Sequence, residues 1–359
     1  MSARFGHGLV IGTFYPLHAG HIALGRAALS QCDRVTLEVL GGSSESIPVP
    51  LRAQWLEEEL PMARIVTIID DAEIDFDSVA AWDHHTGVIR SLLDPSDGPV
   101  EAVFTSDAYG QELARRLGAE WVQVDPGRAT LPVSSTGVRS DVPGYWWALP
   151  APVRQHLAKR VVVLGAESAA TSTLASDLAA HYGVPCVPAY GRTLTARGPT
   201  GNESLWQRGD AALIATEQAR QADDFARRSP RPLVVCDTDA LATWLEHSVG
   251  DRSAPVEVLA RTQVAALYLL CGDEATVAPV GGHSPGHLRP GMTGRFREVL
   301  KLQPAPWIEV LGTREARLAT GVRAVEEVLA AGWGLTPSLE QQQAARRAAD
   351  GPSAPATSA

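Results

Sequence analysis

Short runs of β-branched residues alternate with stretches of helical apolar spacing, and this alternation occurs twice along the 359 residues. In the first half the runs are "GLVIGTF" (8–14), "VTLEVL" (35–40), "RIVTIID" (64–70), "AVFTSD" (102–107) and "EWVQVD" (120–125). Helical spacing fills 19–32, 51–60, 78–93 and 108–117 between them. Strands separated by helices build βαβ units and a largely parallel sheet. In the second half, strands are expected at 161–164, 233–237, 266–271 and 307–311, with helices at 171–182, 206–228, 255–262 and 313–331. The Pro- and aromatic-rich "DVPGYWWALPAPV" (141–153) joins the halves. Two α/β domains are therefore expected, 1–150 and 151–335. The segment 336–359 is poor in bulky apolar residues and is expected to be disordered. "GGHSPGHLRPGMTGR" (281–295) reads as a mobile loop or lid.

The apolar runs are too short to span a bilayer. The N-terminus lacks an apolar region followed by a small-residue cleavage site, so a cytoplasmic protein is expected. Four dispersed cysteines (Cys32, Cys186, Cys236, Cys271) suit buried reduced thiols better than disulfides or zinc. Residues 1–150 carry 10 Arg against 20 Asp or Glu. Such an acidic half does not favour non-specific nucleic-acid binding, so any phosphate bound there needs local donors.

Those donors are visible after the first strand, in "GTFYPLHAGHIALGRAAL" (12–29). Gly12 permits a tight turn and Pro16 delays the helix. His18 and His21 then lie three apart at a helix start, where free N–H groups and the helix dipole already favour an anion. Two imidazoles there can stabilise charge on a phosphate under attack. A second element, "VSSTGVR" (133–139), adds hydroxyls and amides from Ser134, Ser135 and Thr136 and a planar cation from Arg139.

The G-x-F-x-P-x-H-x-G-H stretch and the later S-S-T-x-x-R stretch resemble the two signatures of the nucleotidyltransferase superfamily. With "VPLRAQWL" (49–56), "FTSDAYG" (104–110) and "VDPGR" (124–128), they follow the order of nicotinamide-mononucleotide adenylyltransferases. Over about residues 6–331 the chain resembles the bifunctional adenylyltransferase / ribosylnicotinamide kinase family of bacterial NAD salvage and its regulation. The resemblance implies a Rossmann-like nucleotidyltransferase domain followed by a P-loop kinase-like domain. It implies that His18, His21 and Arg139 are catalytic, with Gly12, Thr13, Phe14, Ser134, Ser135 and Thr136 around the nucleotide. Asp107 and Asp125 either contact nucleotide or cap a loop. Arg52 and Trp55 would shape the nicotinamide side, Trp55 by stacking. The implied reaction joins ATP and nicotinamide mononucleotide into NAD and pyrophosphate, with Mg2+ carried on the triphosphate and no dedicated metal site. Some relatives bind DNA through an N-terminal helix-turn-helix; here the first strand begins within a few residues of the start, so direct DNA binding is not expected. Nor is a membrane partner, while an oligomer is compatible with the resemblance.

The second half opens with "VVVLGAESAATSTLASDLAAHYG" (161–183), which has the strand–loop–helix order of a P-loop but not its full motif. Against G-x-x-x-x-G-K-[ST], Gly165, Glu167, Ser168 and Ser172 fit the family's loop, whereas Ala170 and Thr171 stand in place of Gly and Lys. Tyr190 and Arg192 in "AYGR" and Asp237 and Asp239 in "CDTD" match further kinase elements. The lysine follows charge that moves during phosphoryl transfer, and losing one such donor costs about 100- to 1,000-fold in rate. Weak or absent phosphorylation of nicotinamide riboside is expected unless Arg289, Arg295 or Arg297 supplies the cation. Three alternatives stay open: a non-catalytic nucleotide-sensing regulator, a truly bifunctional enzyme, and an adenylyltransferase for another phosphate-bearing acceptor such as a pantetheine or flavin precursor.

Overall fold

The computed structural model describes residues 3–166, 170–192, 210–247, 265–272 and 291–350. The chain divides into two compact units, Met1–Val153 with Trp333–Ala359, and Arg154–Gly332.

In the first unit, β1 (Phe5–Gly12), α1 (Ala19–Leu29), β2 (Cys32–Gly41), α2 (Val49–Glu59) and β3 (Arg64–Ile69) form successive βαβ crossovers. They continue through α3 (Val79–Leu92), β4 (Ala102–Thr105), α4 (Tyr109–Leu117), β5 (Glu120–Gln123) and the short α5 (Ser135–Ser140). The sheet runs β3-β2-β1-β4-β5 and every pairing is parallel. Its inner strands β1, β2 and β4 are largely buried, which is why they read as continuous apolar runs. Leu9, Val10, Leu37, Val39, Val103 and Phe104 are all fully buried. The strand order reverses between β1 and β4, and in open parallel sheets ligands bind in the crevice beyond the strand ends at such a point.

The second unit repeats the scheme. The helix α6 (Ala151–Leu157) crosses the boundary into β6 (Lys159–Gly165), followed by α7 (Thr171–Tyr182), β7 (Cys186–Val187), α8 (Asp210–Arg228) and β8 (Leu233–Cys236). Then come α9 (Ala240–His247), β9 (Leu267–Cys271), α10 (Met292–Leu300), β10 (Trp307–Val310) and α11 (Arg314–Ala330). The sheet order is β10-β9-β6-β8-β7, again all parallel. Val161, Val163, Leu174, Leu178, Leu269 and Val325 lock β6, β9, α7 and α11 into one core.

Two expectations are corrected. Residues 339–350 form a helix, α12 (Leu339–Asp350), packed with the first unit. Polar contacts hold it in place, so its lack of apolar residues was a poor guide. The stretch 281–295 is not loop throughout, because α10 starts at Met292 on a buried face of Met292, Thr293, Phe296 and Leu300. The helix expected at 255–262 lies outside the described residues, as do residues 281–290 of the expected lid. Two short elements, β7 and α9, had no counterpart in the sequence reading. No helix among the described residues is long and apolar enough to cross a membrane.

Candidate nucleotide sites

The end of β1 delivers the first site. Beyond Gly12 and Thr13 the chain turns through Phe14, which is fully buried at a positive φ of 46°, and reaches His18 at the N-cap of α1. His18 makes no side-chain capping bond there, which leaves its ring available. The His18 and His21 rings stack with centroids 3.7 Å apart, and Phe14 meets His21 edge-on at 4.9 Å. Gly20 makes this packing possible: a Cβ there would lie 3.1 Å from His18 Cε1. Both Nδ1 atoms are buried without a hydrogen-bond partner among the described residues. Burial, followed by the charge of Arg128, lowers the His18 pKa to about 3. Burial, the neighbouring His18 and Arg128 hold His21 well below the ordinary imidazole range. In this state both rings are neutral at physiological pH.

The second signature is joined directly to the first. Ser134 caps α5 by accepting from Gly137 N at 3.1 Å, and Ser135 Oγ donates to Pro16 O at 3.2 Å. Arg139 donates through Nη1 to Tyr15 O and through Nη2 to Thr136 Oγ1 at 3.2 Å. Its guanidinium also lies 4.9 Å from the centre of the Tyr15 ring. Thus His18, His21, Ser135, Thr136 and Arg139 all gather around the loop 13–18. Asp107 accepts from Arg128 Nη2 at 2.9 Å, while Asp125 accepts from Thr130 N and Leu131 N and folds the turn 125–131. Of the two readings of Asp125, loop-capping is the one its contacts describe.

Arg52 and Trp55 are placed differently from the expectation that they face a ligand. Trp55 is 3% exposed and Arg52 is 0% exposed, because α2 turns that side toward the core. The Arg52 guanidinium donates to Ile47 O and Thr13 O, pairs with the fully buried Glu45 at 2.6 Å, and stacks over Tyr15 at 4.4 Å. Its role is to fix the loop that carries the histidines. Glu45 was missed by the sequence reading, and Arg128 was quoted within "VDPGR" but given no role. Glu45 belongs to no pattern that was read in the sequence, and the Arg52–Glu45 pair exists only because the loop before α2 folds back.

The C-terminal segment reaches the same loop. Tyr15 Oη and Thr336 Oγ1 are 2.8 Å apart, Ser46 N donates to Thr336 Oγ1 at 3.0 Å, and Leu339 N donates to Glu45 Oε1 at 3.0 Å. Gln341 accepts from Arg139 Nη2 and donates through Nε2 to Thr136 Oγ1 at 3.3 Å. Gln343 bonds Ile74 N and Ala72 O, and Arg347 pairs with Glu73 at 3.0 Å. At the end of β3, Asp70 faces His84 Nε2 at 3.3 Å and His85 Nδ1 at 3.0 Å, and His85 Nε2 lies 2.9 Å from Glu73 O. This is the one cluster among the described residues with the spacing of metal ligands. It ties the 70–74 turn to α3.

In the second unit the strand and helix that flank the loop are described on both sides of residues 167–169. Gly165 ends β6, and α7 starts at Thr171 after Ala170, whose φ of 59° and ψ of 30° are left-handed. That conformation suits the glycine of the motif and costs an L-residue about 1–2 kcal/mol. Glu167 and Ser168 lie outside the described residues. Ser172 Oγ donates to Asp237 Oδ2 at 2.6 Å. In P-loop enzymes a hydroxyl and an acidic residue of this kind hold Mg2+. Here Arg192 is bonded to both: Nη1 donates to Asp237 Oδ2 at 2.9 Å and to Ser172 Oγ, and Nη2 lies 3.4 Å from Thr171 Oγ1. Arg297 is paired with Glu309 at 2.6 Å, and Arg289 is outside the described residues. These contacts put Arg192, which was not among the arginines considered for the missing cation, beside the substituted lysine position. Asp239 is a helix cap, accepting from Ala242 N at 2.8 Å and from Tyr268 Oη at 3.0 Å. Tyr190 is held through its backbone, its N–H donating to Gln218 Oε1 at 2.8 Å.

Comparison with known proteins follows this division. A family model described as an AAA domain matches residues 160–317, the second unit. The "Trifunctional NAD biosynthesis/regulator protein NadR" of Escherichia coli K12 is 29% identical over 251 residues, 66% of this chain. The NadR of Salmonella typhimurium LT2 gives the same identity and coverage. The chain spans 61% of the length of these curated relatives. Among solved structures, NadR in complex with NR matches with a TM-score of 0.69 at 19% identity, covering 91% of this chain and 97% of the other. NadR in complex with NAD and AMP-PNP matches at 0.68 and 20% identity with the same coverage. The chain is similar to NadR proteins in sequence, and it shares the fold of the solved ones.

Proposed function

We propose that the first unit transfers the adenylyl group of ATP to nicotinamide mononucleotide, giving NAD and pyrophosphate. The observation that carries this reading is the pair of stacked, neutral, unpartnered imidazoles at the start of α1, beside the Ser135–Arg139 helix. An oxygen of the mononucleotide's phosphate attacks the α-phosphorus of ATP. That new P–O bond forms as the bond to the bridging oxygen of the β-phosphate breaks, and pyrophosphate leaves. His18 and His21 need not move a proton in this exchange. An arriving triphosphate raises their pKa values, and their ring N–H groups then stabilise charge that develops at phosphorus and on the leaving group. Arg139, Thr136 and the free N–H groups of α5 hold the distal phosphates.

The unpartnered atoms of this site are imidazole nitrogens, which suit phosphate oxygens and not Mg2+. Mg2+ would enter bound to ATP, and no residue of the chain is assigned to it.

The second unit is proposed to be a kinase-like domain with little phosphoryl transfer. Thr171 has neither the reach nor the charge of lysine, and Arg192 is bonded to both Ser172 and Asp237. The NAD-pathway role of NadR and the NR and AMP-PNP bound in its solved structures support nicotinamide nucleotides as the ligand class.

A product assay tests both parts. The protein is incubated with Mg2+ and ATP, plus either nicotinamide mononucleotide or nicotinamide riboside. NAD formed from the mononucleotide and abolished in His18→Ala, without mononucleotide formed from the riboside, is the expected result. Rapid riboside phosphorylation would make the protein bifunctional. No product in either tube would favour a nucleotide-sensing regulator.

A further inference from the structure

The C-terminal segment places a side chain on the very groups that the transferase reading gives to the triphosphate. Gln341 Oε1 accepts from Arg139 Nη2, and Gln341 Nε2 donates to Thr136 Oγ1. One amide thereby engages both the cation and the hydroxyl of the second signature. Its carbonyl oxygen makes the kind of contact that a phosphate oxygen would make with the same guanidinium.

Gln341 also closes the start of its own helix, its Oε1 accepting from Ser338 N at 3.1 Å and from Ser338 Oγ at 3.3 Å, but other contacts hold the segment as well. On one side it is fixed by Thr336, which bonds Tyr15 and Ser46, and by Leu339, whose N–H donates to Glu45. Leu339 also covers Gly42 so closely that a Cβ on that glycine would come within 2.9 Å of Leu339 Cβ. On the other side Gln343 bonds the 72–74 backbone, and Arg347 pairs with Glu73. Ser338 caps the helix that carries Gln341, its Oγ accepting from Gln341 N at 3.4 Å. Apart from Tyr15, a variable position of the first signature, the flanking contacts are with loop residues outside both signatures. Gln341 alone, among these tail contacts, reaches into the second signature.

We propose that residues 336–347 form an internal competitor for the triphosphate, with Gln341 standing in for a phosphate oxygen on Arg139. This rests on the adenylyltransferase reading of the site. A phosphate oxygen is ionised and binds a guanidinium about twice as strongly as a neutral acceptor does. ATP therefore displaces the amide, and its apparent affinity is reduced by the contact it must break. The segment follows directly on the second unit, through Trp333, Gly334 and Leu335, so the competitor is attached to the kinase-like unit along the chain.

The test is ATP binding to the full-length protein, measured by calorimetry with Mg2+ present and no acceptor. His18→Ala identifies the part of the signal that belongs to the first unit. Gln341→Ala is expected to tighten that part by about 10- to 150-fold, the range of one hydrogen bond to a charged group. Gln341→Glu is expected to weaken it, because a carboxylate holds Arg139 more firmly. Hydrogen exchange provides a second readout: amides of 339–346 in the wild type should lose protection when ATP is added. Weaker binding by Gln341→Ala would make Gln341 part of ATP's own site and overturn the competitor. So would unchanged affinity in both variants, or a tail whose protection ATP leaves unaltered. If no ATP signal depends on His18, the transferase reading and the competitor fail together.

Discussion

The two units use one backbone plan and have kept different parts of it. In each, a parallel five-stranded sheet sends its central strand into a glycine, Gly12 in one and Gly165 in the other, and a helix begins a few residues later. The first unit retains the side chains expected of a phosphate site: two histidines, a serine–threonine helix start and an arginine. The second keeps the strand and helix that flank such a loop. A left-handed residue precedes α7, Ala170, and the next is Thr171. The core on either side holds these elements: Leu174, Ala175 and Leu178 of α7 pack against the β6 and β9 strands. Similar strand and helix frames therefore carry different side chains at their loops.

The contrast can be broken most severely at Arg52. The first unit's loop is held by a fully buried ion pair with Glu45, and removing one member strands the other charge. Arg52→Ala is expected to cost about 3–5 kcal/mol of that unit's stability, measured by urea denaturation. A loss below 1 kcal/mol would mean that the pair is dispensable and the loop is fixed elsewhere.

A repair should narrow the contrast from the other side. Restoring the motif with Ala170→Gly and Thr171→Lys is expected to raise riboside phosphorylation by about 100- to 1,000-fold, the inverse of losing one charged donor. An unchanged rate would place the block elsewhere, with Arg192, bonded to both Ser172 and Asp237, as the first suspect.

The smallest effect is the pH dependence that His18, His21 and Glu38 give the first unit. His18 and His21 titrate well below their unfolded range, so the unfolded chain binds more protons below about pH 6.5 and stability falls on acidification. Glu38 is fully buried, has no hydrogen-bond partner among the described residues, and is pushed up to about 8 by burial. It keeps its proton when folded, so stability also falls as pH rises from its ordinary range toward 8. Stability should therefore peak near pH 6.5, with a slope of at most about 1.4 kcal/mol per pH unit from each group. Glu38→Gln should flatten the alkaline limb, and an unaltered limb would exclude Glu38 as its origin.

Much of this was legible in the sequence. Strand and helix alternation disclosed both sheets because buried parallel strands are continuous apolar runs, and the histidines were visible because the signature is local. What escaped notice depends on distance or polarity. Arg52 was expected on the nicotinamide side, and its pairing with Glu45 shows only in the folded chain. Arg192 takes its place only once β6, α7 and β8 bring Ser172 and Asp237 together. The helix 339–350 has no apolar stripe and is held by amide, hydroxyl and carboxylate contacts to residues some 200 to 300 positions earlier. The expectation of disorder came from counting apolar residues, a measure that cannot register docking of this kind.

Thr336 is synthesised about 180 residues after the rest of the first unit's sheet and loops. At roughly 5–20 residues per second, that sheet can stand folded on the ribosome for some ten to forty seconds with Arg139 and Thr136 uncovered. A messenger cut short, or a chain clipped by a protease after Gly332, would leave a protein that has never worn its cover, or has lost it for good. The final stretch of translation would then decide how readily the first unit takes up ATP.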